Sequence, residues 1–197
     1  MAEAGRVIAG SARGIHLRTP GPGTRPLGDR VKQALFGILE PTIGGAKVLD
    51  LFAGSGAAGI EALSRGAAAC WFVEHDGDAA RVIAGNLARC QLDGPEAVVI
   101  RADALAWLRD AAPGLVPFDL VLIDPPYADT AILEGALGLL GDPARPLLAD
   151  AGIVVAKHFW RSSPPDRVGL LASGRVRRFG ETALTFYQRL PEGAEGE

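Results

Sequence analysis

The chain has 197 residues, 48% of them hydrophobic, and a formal net charge of −3. That is enough apolar material for one domain with a sizeable core. No apolar run approaches the ~20 residues of a membrane span, and the opening Met1–Arg6 carries no signal region, so a cytoplasmic location with no membrane partner is expected. Charge is distributed unevenly. Residues 1–32 hold Arg6, Arg13, Arg18, Arg25, Arg30 and Lys32 against Glu3 and Asp29, a net of +4, which leaves −7 for the other 165 residues. A basic arm on an acidic body points to contact with a polyanion.

In chain order, Gly5–Gly10 and Ile15–Thr19 read as two short strands around the turn Ser11–Gly14, a hairpin. A Pro/Gly-rich connector, Pro20–Pro26, follows. Asp29 is placed to cap a helix in which Val31, Ala34, Leu35, Ile38 and Leu39 share one face, with Pro41 and Gly44–Gly45 ending it. From Lys47 the pattern changes. Strand-like runs at Val48–Phe52, Cys70–Val73, Val98–Ile100, Leu120–Ile123 and Ile153–Ala156 alternate with helical segments at Ala57–Arg65, Asp78–Cys90, Leu105–Ala112 and Asp129–Leu140. Alternation of this kind predicts a parallel sheet covered on both faces. Arg175–Arg178 and Thr182–Arg189 then read as a final antiparallel pair. The expectation is an α/β, Rossmann-like fold with a mixed seven-stranded sheet, its last strand antiparallel and the hairpin outside it. Its organisation would be 1–26 as hairpin and basic arm, 27–190 as the main domain and 191–197 as a frayed tail. Cys70 and Cys90 are expected as buried free thiols. His16, His75 and His158 form no sequence cluster, so no metal is expected.

Val48–Gly59 reads as a strand, a tight turn and a helix start, with Gly54, Gly56 and Gly59 matching G-x-G-x-x-G. Glu74 ends the next strand, twenty residues after Gly54, a spacing that suits a ribose-binding acid. The turn alone does not separate a dinucleotide from another adenosine ligand. Asp50, at the end of the first strand, would repel a pyrophosphate but suits a cationic ligand. Asp103, ending the third strand, is placed to accept from an adenine amine. S-adenosylmethionine, with a ribose, an adenine, an ammonium, a sulfonium and no phosphate, fits a site lined by these three acids. Phe52, Ala53, His75 and Ala104 flank them in the same loops and are counted with the site.

Phe118–Tyr127 joins the apolar run Leu120–Ile123 to Asp124, Pro125, Pro126 and Tyr127. The prolines fix φ and remove backbone donors, so the strand stops there. An acid and an aromatic ring are thereby held at the carboxyl end of a central strand, where open α/β sheets bind ligands. The pattern suits methyl transfer to a planar exocyclic amine. A carboxylate and a backbone carbonyl accept the amine's two N–H groups and favour its reactive, pyramidal form, while Tyr127 stacks on the ring.

Val48–Gly56, Glu74, Asp103 and Asp124–Tyr127 together resemble the class I S-adenosylmethionine-dependent amino-methyltransferases. Arg6–Gly10, Arg13–Gly14, Arg25–Pro26, Asp29–Lys32 and Leu35–Phe36 narrow this to a resemblance to the RsmD family, which methylates the N2 amine of a guanine in small-subunit (16S) ribosomal RNA. It covers the chain from about Arg6 to Arg189. It implies that Gly54 and Gly56 pass the amino-acid end of S-adenosylmethionine, Glu74 holds the ribose, Asp103 meets the adenine and Asp124–Tyr127 hold the guanine, with S-adenosylhomocysteine as product. The implied partner is small-subunit ribosomal RNA or an assembling 30S particle, with no obligate protein partner. Arg6, Arg13, Arg18, Arg25, Arg30 and Lys32, together with Arg175–Arg178, are expected to contact RNA phosphates. The family usually has threonine and glutamate where this chain has Leu27 and Gln33. Three other readings share part of this pattern. A DNA adenine-N6 methyltransferase uses the same tetrapeptide but usually needs a target-recognition region, and only about 35 residues follow the last parallel strand here. A protein glutamine methyltransferase usually has asparagine where Asp124 stands. A non-catalytic RNA-binding assembly factor would not need Asp124 and Tyr127 intact.

Overall fold

The computed structural model describes residues 3–21, 27–110, 117–126 and 129–191. These fall into two compact units, 1–103 and 104–197. In the first, β1 (Glu3–Arg6) and β2 (His16–Arg18) form a separate two-stranded antiparallel sheet. Then come α1 (Asp29–Ile43), β3 (Lys47–Leu51), α2 (Ala57–Ser64), β4 (Ala69–Glu74), α3 (Gly77–Cys90) and β5 (Ala97–Arg101). β3 pairs with β4 and β4 with β5, both in parallel. Val48, Leu49 and Leu51 on β3 and Phe72 and Val73 on β4 are fully buried, as expected of strands covered on both faces.

Two local readings are corrected in α1. Gly28, not Asp29, stands at the N-cap, and no side chain caps the helix there. Asp29 is drawn instead to Arg6, whose Nε lies 3.4 Å from its Oδ2. Pro41 lies inside the helix, which runs on to Ile43 before stopping at Gly44. The missing N–H leaves the Gly37 carbonyl without its helical donor, and Gly37 is exposed, so that carbonyl is open to solvent.

The hairpin is fastened by buried polar side chains. Glu61, 0% exposed, accepts from the backbone N–H groups of Ile8 (2.7 Å) and Ala9 (3.0 Å). Ser64 Oγ donates to the Ala9 carbonyl (2.6 Å) and accepts from the Ala12 N–H (2.9 Å). Gly10 has φ +84°, and a Cβ there would run into the backbone and hydroxyl of Ser64.

The second unit holds α4 (Ala104–Asp110), β6 (Phe118–Ile123), α5 (Thr130–Leu140), β7 (Leu148–Phe159), β8 (Arg167–Val168), β9 (Leu171–Phe179) and β10 (Thr182–Arg189). Asp129 caps α5 as expected, accepting from the N–H groups of Ala131 (3.1 Å) and Ile132 (3.3 Å). β6 and β7 pair in parallel, and β10 runs antiparallel between β7 and β9. Among the described residues, eight strands therefore stand outside the hairpin where seven were expected. The additional one, β8, has only two residues, too few to show a periodic pattern. The fold class is otherwise the one expected: α/β, with a mostly parallel arrangement of strands, helices between them and an antiparallel close. Among the described residues no helix is long and apolar enough to cross a membrane.

Candidate active site

In the first unit, β3 ends at Leu51 and the chain enters a turn in which Phe52 (φ 61°), Gly54 (φ 56°) and Gly56 (φ 76°) are left-handed. Phe52 is the notable one, because a bulky side chain rarely takes positive φ and does so where surrounding bonds enforce it. Those bonds are present. The N–H of Ala53 donates to the Val73 carbonyl (3.1 Å) and that of Gly56 to the Ala53 carbonyl (2.7 Å). The N–H of Gly54 donates to Glu74 Oε2 (2.8 Å), and that of Gly59 to Asp50 Oδ2 (2.9 Å). A glycine turn that cradles a phosphate keeps such N–H groups for the ligand. Here four are committed internally, two of them to carboxylates, so an incoming phosphate would meet negative charge.

Glu74, at the end of β4, is 6% exposed. Its Oε2 holds Gly54, its Oε1 accepts from the Asp76 N–H (2.9 Å), and His75 Nδ1 lies 3.0 Å from the same Oε1. A carboxylate has about four lone-pair directions, so Glu74 is fixed in place and retains acceptor capacity for ribose hydroxyls. His75 itself is exposed. Asp50 is 2% exposed, and its Oδ2 accepts from the Gly59 N–H at the start of α2. Asp103 is exposed, and Ala104 is buried at the start of α4.

The basic residues of the front section divide. Arg6, Arg13 and Arg30 come together with Gln33 and Arg65 around a groove of about 590 Å3. Gln33, one of the two departures from the family pattern, lies on this groove; Leu27, the other, is buried. Arg65 is compensated by Glu40 (2.5 Å) and Glu61 (2.8 Å). Arg18 is exposed on β2, and Arg25 lies outside the described residues. Lys32 does not belong to this set. It is 0% exposed, its ammonium donates to the Arg6 carbonyl, and burial pushes its pKa down. It fastens α1 to the hairpin and presents no charge to a polyanion.

The arm is also tied to the glycine turn. Asn86 on α3, 0% exposed, exchanges hydrogen bonds with the backbone of Arg18 (2.8 and 2.9 Å). It also donates to the Ser55 carbonyl inside the turn (2.9 Å). No sequence pattern marks Asn86, because all three of its partners are distant backbone atoms.

In the second unit, β6 ends at Ile123, and Asp124, Pro125 and Pro126 follow it outside any regular element. Tyr127 lies outside the described residues. The Asp124 side chain is 28% exposed, and its Oδ1 is 2.5 Å from the ammonium of Lys157 on β7. Burial raises the Asp124 carboxyl above its ordinary value, while the Lys157 charge and hydrogen bond pull it back down. Lys157 escaped the sequence reading. The available signal was its rarity, since lysine occurs only at positions 32, 47 and 157 and here directly follows a buried apolar run. His158 is buried between Thr185 Oγ1 (2.8 Å) and the Phe159 carbonyl (2.9 Å). Cys70 and Cys90 are buried free thiols, and burial pushes both up in pKa.

A family model described as Conserved hypothetical protein 95 matches residues 5–188. A Bacillus subtilis (strain 168) protein, provisionally named an rRNA methyltransferase, YlbH, is 38% identical over 93% of this chain and 98% of its own length. The Escherichia coli (strain K12) ribosomal RNA small subunit methyltransferase D is 35% identical over 95% of this chain and 91% of its own. A solved Escherichia coli structure, provisionally described as a methyltransferase, yhhF, superposes with TM-score 0.83 at 34% identity, covering 96% of this chain and 99% of that one.

Proposed function

This chain belongs to the RsmD family, and from that membership we propose that it transfers a methyl group from S-adenosylmethionine to the N2 amine of a guanine in 16S ribosomal RNA. The observation that carries the reading is Asp124: an acid at the carboxyl end of β6, partly buried, held by Lys157 and followed by two prolines. That is the acceptor an exocyclic amine needs at the moment positive charge grows on its nitrogen.

The first unit fits the methyl donor. Its turn spends the N–H groups of Gly54 and Gly59 on Glu74 and Asp50, which suits a cationic ligand without phosphate. Glu74 keeps an acceptor direction on Oε2 for a ribose hydroxyl. Phe52, Ala53, Gly54 and Gly56 shape the wall against which the ligand lies, and His75 and Asp103 follow β4 and β5; Ala104, which opens α4 in the second unit, is counted with them. The bound donor supplies an electrophilic methyl on a sulfonium, which is already a good leaving group.

In the second unit, Asp124 accepts one N–H of the amine and the Pro125 carbonyl the other, with Pro126 fixing the chain direction and Tyr127 stacking on the base. Lys157 orients the carboxylate and opposes the rise that burial imposes on its pKa. The proton released after transfer passes to Asp124 or to water. Arg6, Arg13, Arg18, Arg25 and Arg30 carry the phosphates of the RNA arm. The substrate is naked small-subunit RNA or an assembling particle in the cytoplasm. The test is methyl transfer by the purified chain to 16S RNA and to small-subunit particles, with nucleoside mass mapping. N2-methylguanosine is the expected product. N6-methyladenine in duplex DNA would instead favour a DNA methyltransferase, and cofactor binding without transfer an assembly factor.

A further inference from the structure

The −7 assigned to everything after residue 32 conceals a second basic stretch. From Lys157 to Pro191 seven basic side chains stand against two acids, Asp166 and Glu181, a net of +5. Much of it lies on one strand. β8 pairs with β9 only at Leu171 and Ala172, so beyond Ser173 that flank of β9 has no strand partner among the described residues. Gly174 is extra in the pairing with β10, since Arg175 lies opposite Phe186 and Ser173 opposite Tyr187. After this bulge Arg175, Val176, Arg177 and Arg178 are all exposed, Val176 by 53%. Arg175 and Arg177 make no ion pair among the described residues. Alternation puts them on one face about 6.8 Å apart, and Arg178 on the other.

Beside Arg178 is Trp160, which follows β7. The Arg178 guanidinium carbon is 3.5 Å from the indole centroid and that of Arg161 is 4.8 Å. The Arg178 Nε donates to the Gly180 carbonyl (2.9 Å), and the Trp160 backbone N–H donates to the Glu181 carbonyl (3.0 Å), so the Arg178 side chain and the Trp160 backbone are both held at the β9–β10 turn. Charges alone would serve to protect an open strand edge from other chains. They do not call for an indole packed under a guanidinium plane. Arginine planes and aromatic faces together are a surface on which unpaired bases stack, and Arg175 and Arg177 supply counter-charges for the adjoining phosphates.

We propose that Trp160, Arg161, Arg178 and the free flank of β9 form a second RNA contact face, which takes an unpaired segment of the substrate. This rests on the reading of the chain as an RNA methyltransferase and adds to it where, beyond the hairpin, the RNA is gripped. The unpaired strand crosses the open edge of β9, with a base on the Trp160–Arg178 stack on one face and the phosphates that follow it reaching Arg175 and Arg177 on the other.

The test titrates the full chain with a short single-stranded oligoadenylate and follows tryptophan fluorescence and affinity across a salt series. The expected result is quenching that disappears in Trp160→Phe with affinity nearly kept, and affinity lower by ~5- to 150-fold in Trp160→Ala. Arg175→Gln/Arg177→Gln, at exposed positions that leave folding intact, should flatten the slope of log affinity against log salt by about 1.4, or about 0.7 per phosphate contact. Unchanged affinity and slope in that double variant, or quenching that persists in Trp160→Phe, would overturn the proposal. Methyl transfer to 16S RNA by wild-type protein is measured alongside. Transfer with no effect of the variants on RNA affinity overturns the contact face alone. RNA binding through this face without transfer overturns the enzymatic reading alone, and a wild type that binds no RNA overturns both.

Discussion

Asp124 has to remain a carboxylate in surroundings that favour its neutral form. Burial raises its pKa and Lys157, 2.5 Å away, opposes the rise. If the ionised acid is what receives the amine, the transfer rate climbs with pH through the Asp124 value. Lys157→Met removes the opposing cation, so the acid limb of the single-turnover rate should move to higher pH, and Lys157→Arg should move it back. An acid limb that stays in place in Lys157→Met would show that the pair has no part in the reaction. Asp124→Asn keeps the size and loses the charge, and its amide can turn a donor toward the amine. The rate constant should fall by ~10²–10³, the scale of one preorganised transition-state contact, with cofactor affinity, read by calorimetry, little changed.

At the scale of elements, the hairpin is the part whose attachment has consequences. Asn86 joins β2 to the glycine turn by three hydrogen bonds, and Asn86→Ala leaves buried backbone groups unpaired at ~1–3 kcal/mol. A lower melting temperature and weaker S-adenosylhomocysteine binding are both expected. A melting temperature that falls while ligand affinity holds would mean that the turn does not feel the hairpin. Gly59 shows a different constraint. A Cβ there would lie 2.6 Å from Cys70 Sγ and collide with the Phe72 ring, so Gly59→Ala should destabilise by ~1–3 kcal/mol through overpacking, measurable by denaturant unfolding. That third glycine of the motif, the helix stripes and the Asp129 cap were legible because each is written within a few residues of sequence. Asn86, Lys157 and the buried state of Lys32 were not, since each depends on partners brought close only by the fold. β7 was read as Ile153–Ala156 but spans Leu148–Phe159, because Lys157 and His158 interrupt its apolar pattern while still pairing with Leu184 and Ala183, and Asp150 falls in the irregular stretch between the paired Leu148 and Ile153.

Over the whole molecule, charge is patterned within each unit. In the first, Asp50 and Glu74 accept from the N–H groups of the glycine turn and arginine collects in one cluster around the hairpin groove; in the second, it collects in another along β9. The first cluster was visible as a charge excess at one end of the chain. The second was averaged away by the acidic residues that precede it, although Arg175–Arg178 itself stood out as a cluster. The strand alternation gave the class of fold, and the short β8 was the part of it too small to read. The measurement that bears most directly on the central claim is mass mapping of 16S ribosomal RNA from cells with the gene, without it, and carrying Asp124→Asn. The account predicts one N2-methylguanosine lost on deletion, restored by the wild-type chain and not by the variant. Small-subunit RNA with an unchanged methylation pattern in all three would contradict it.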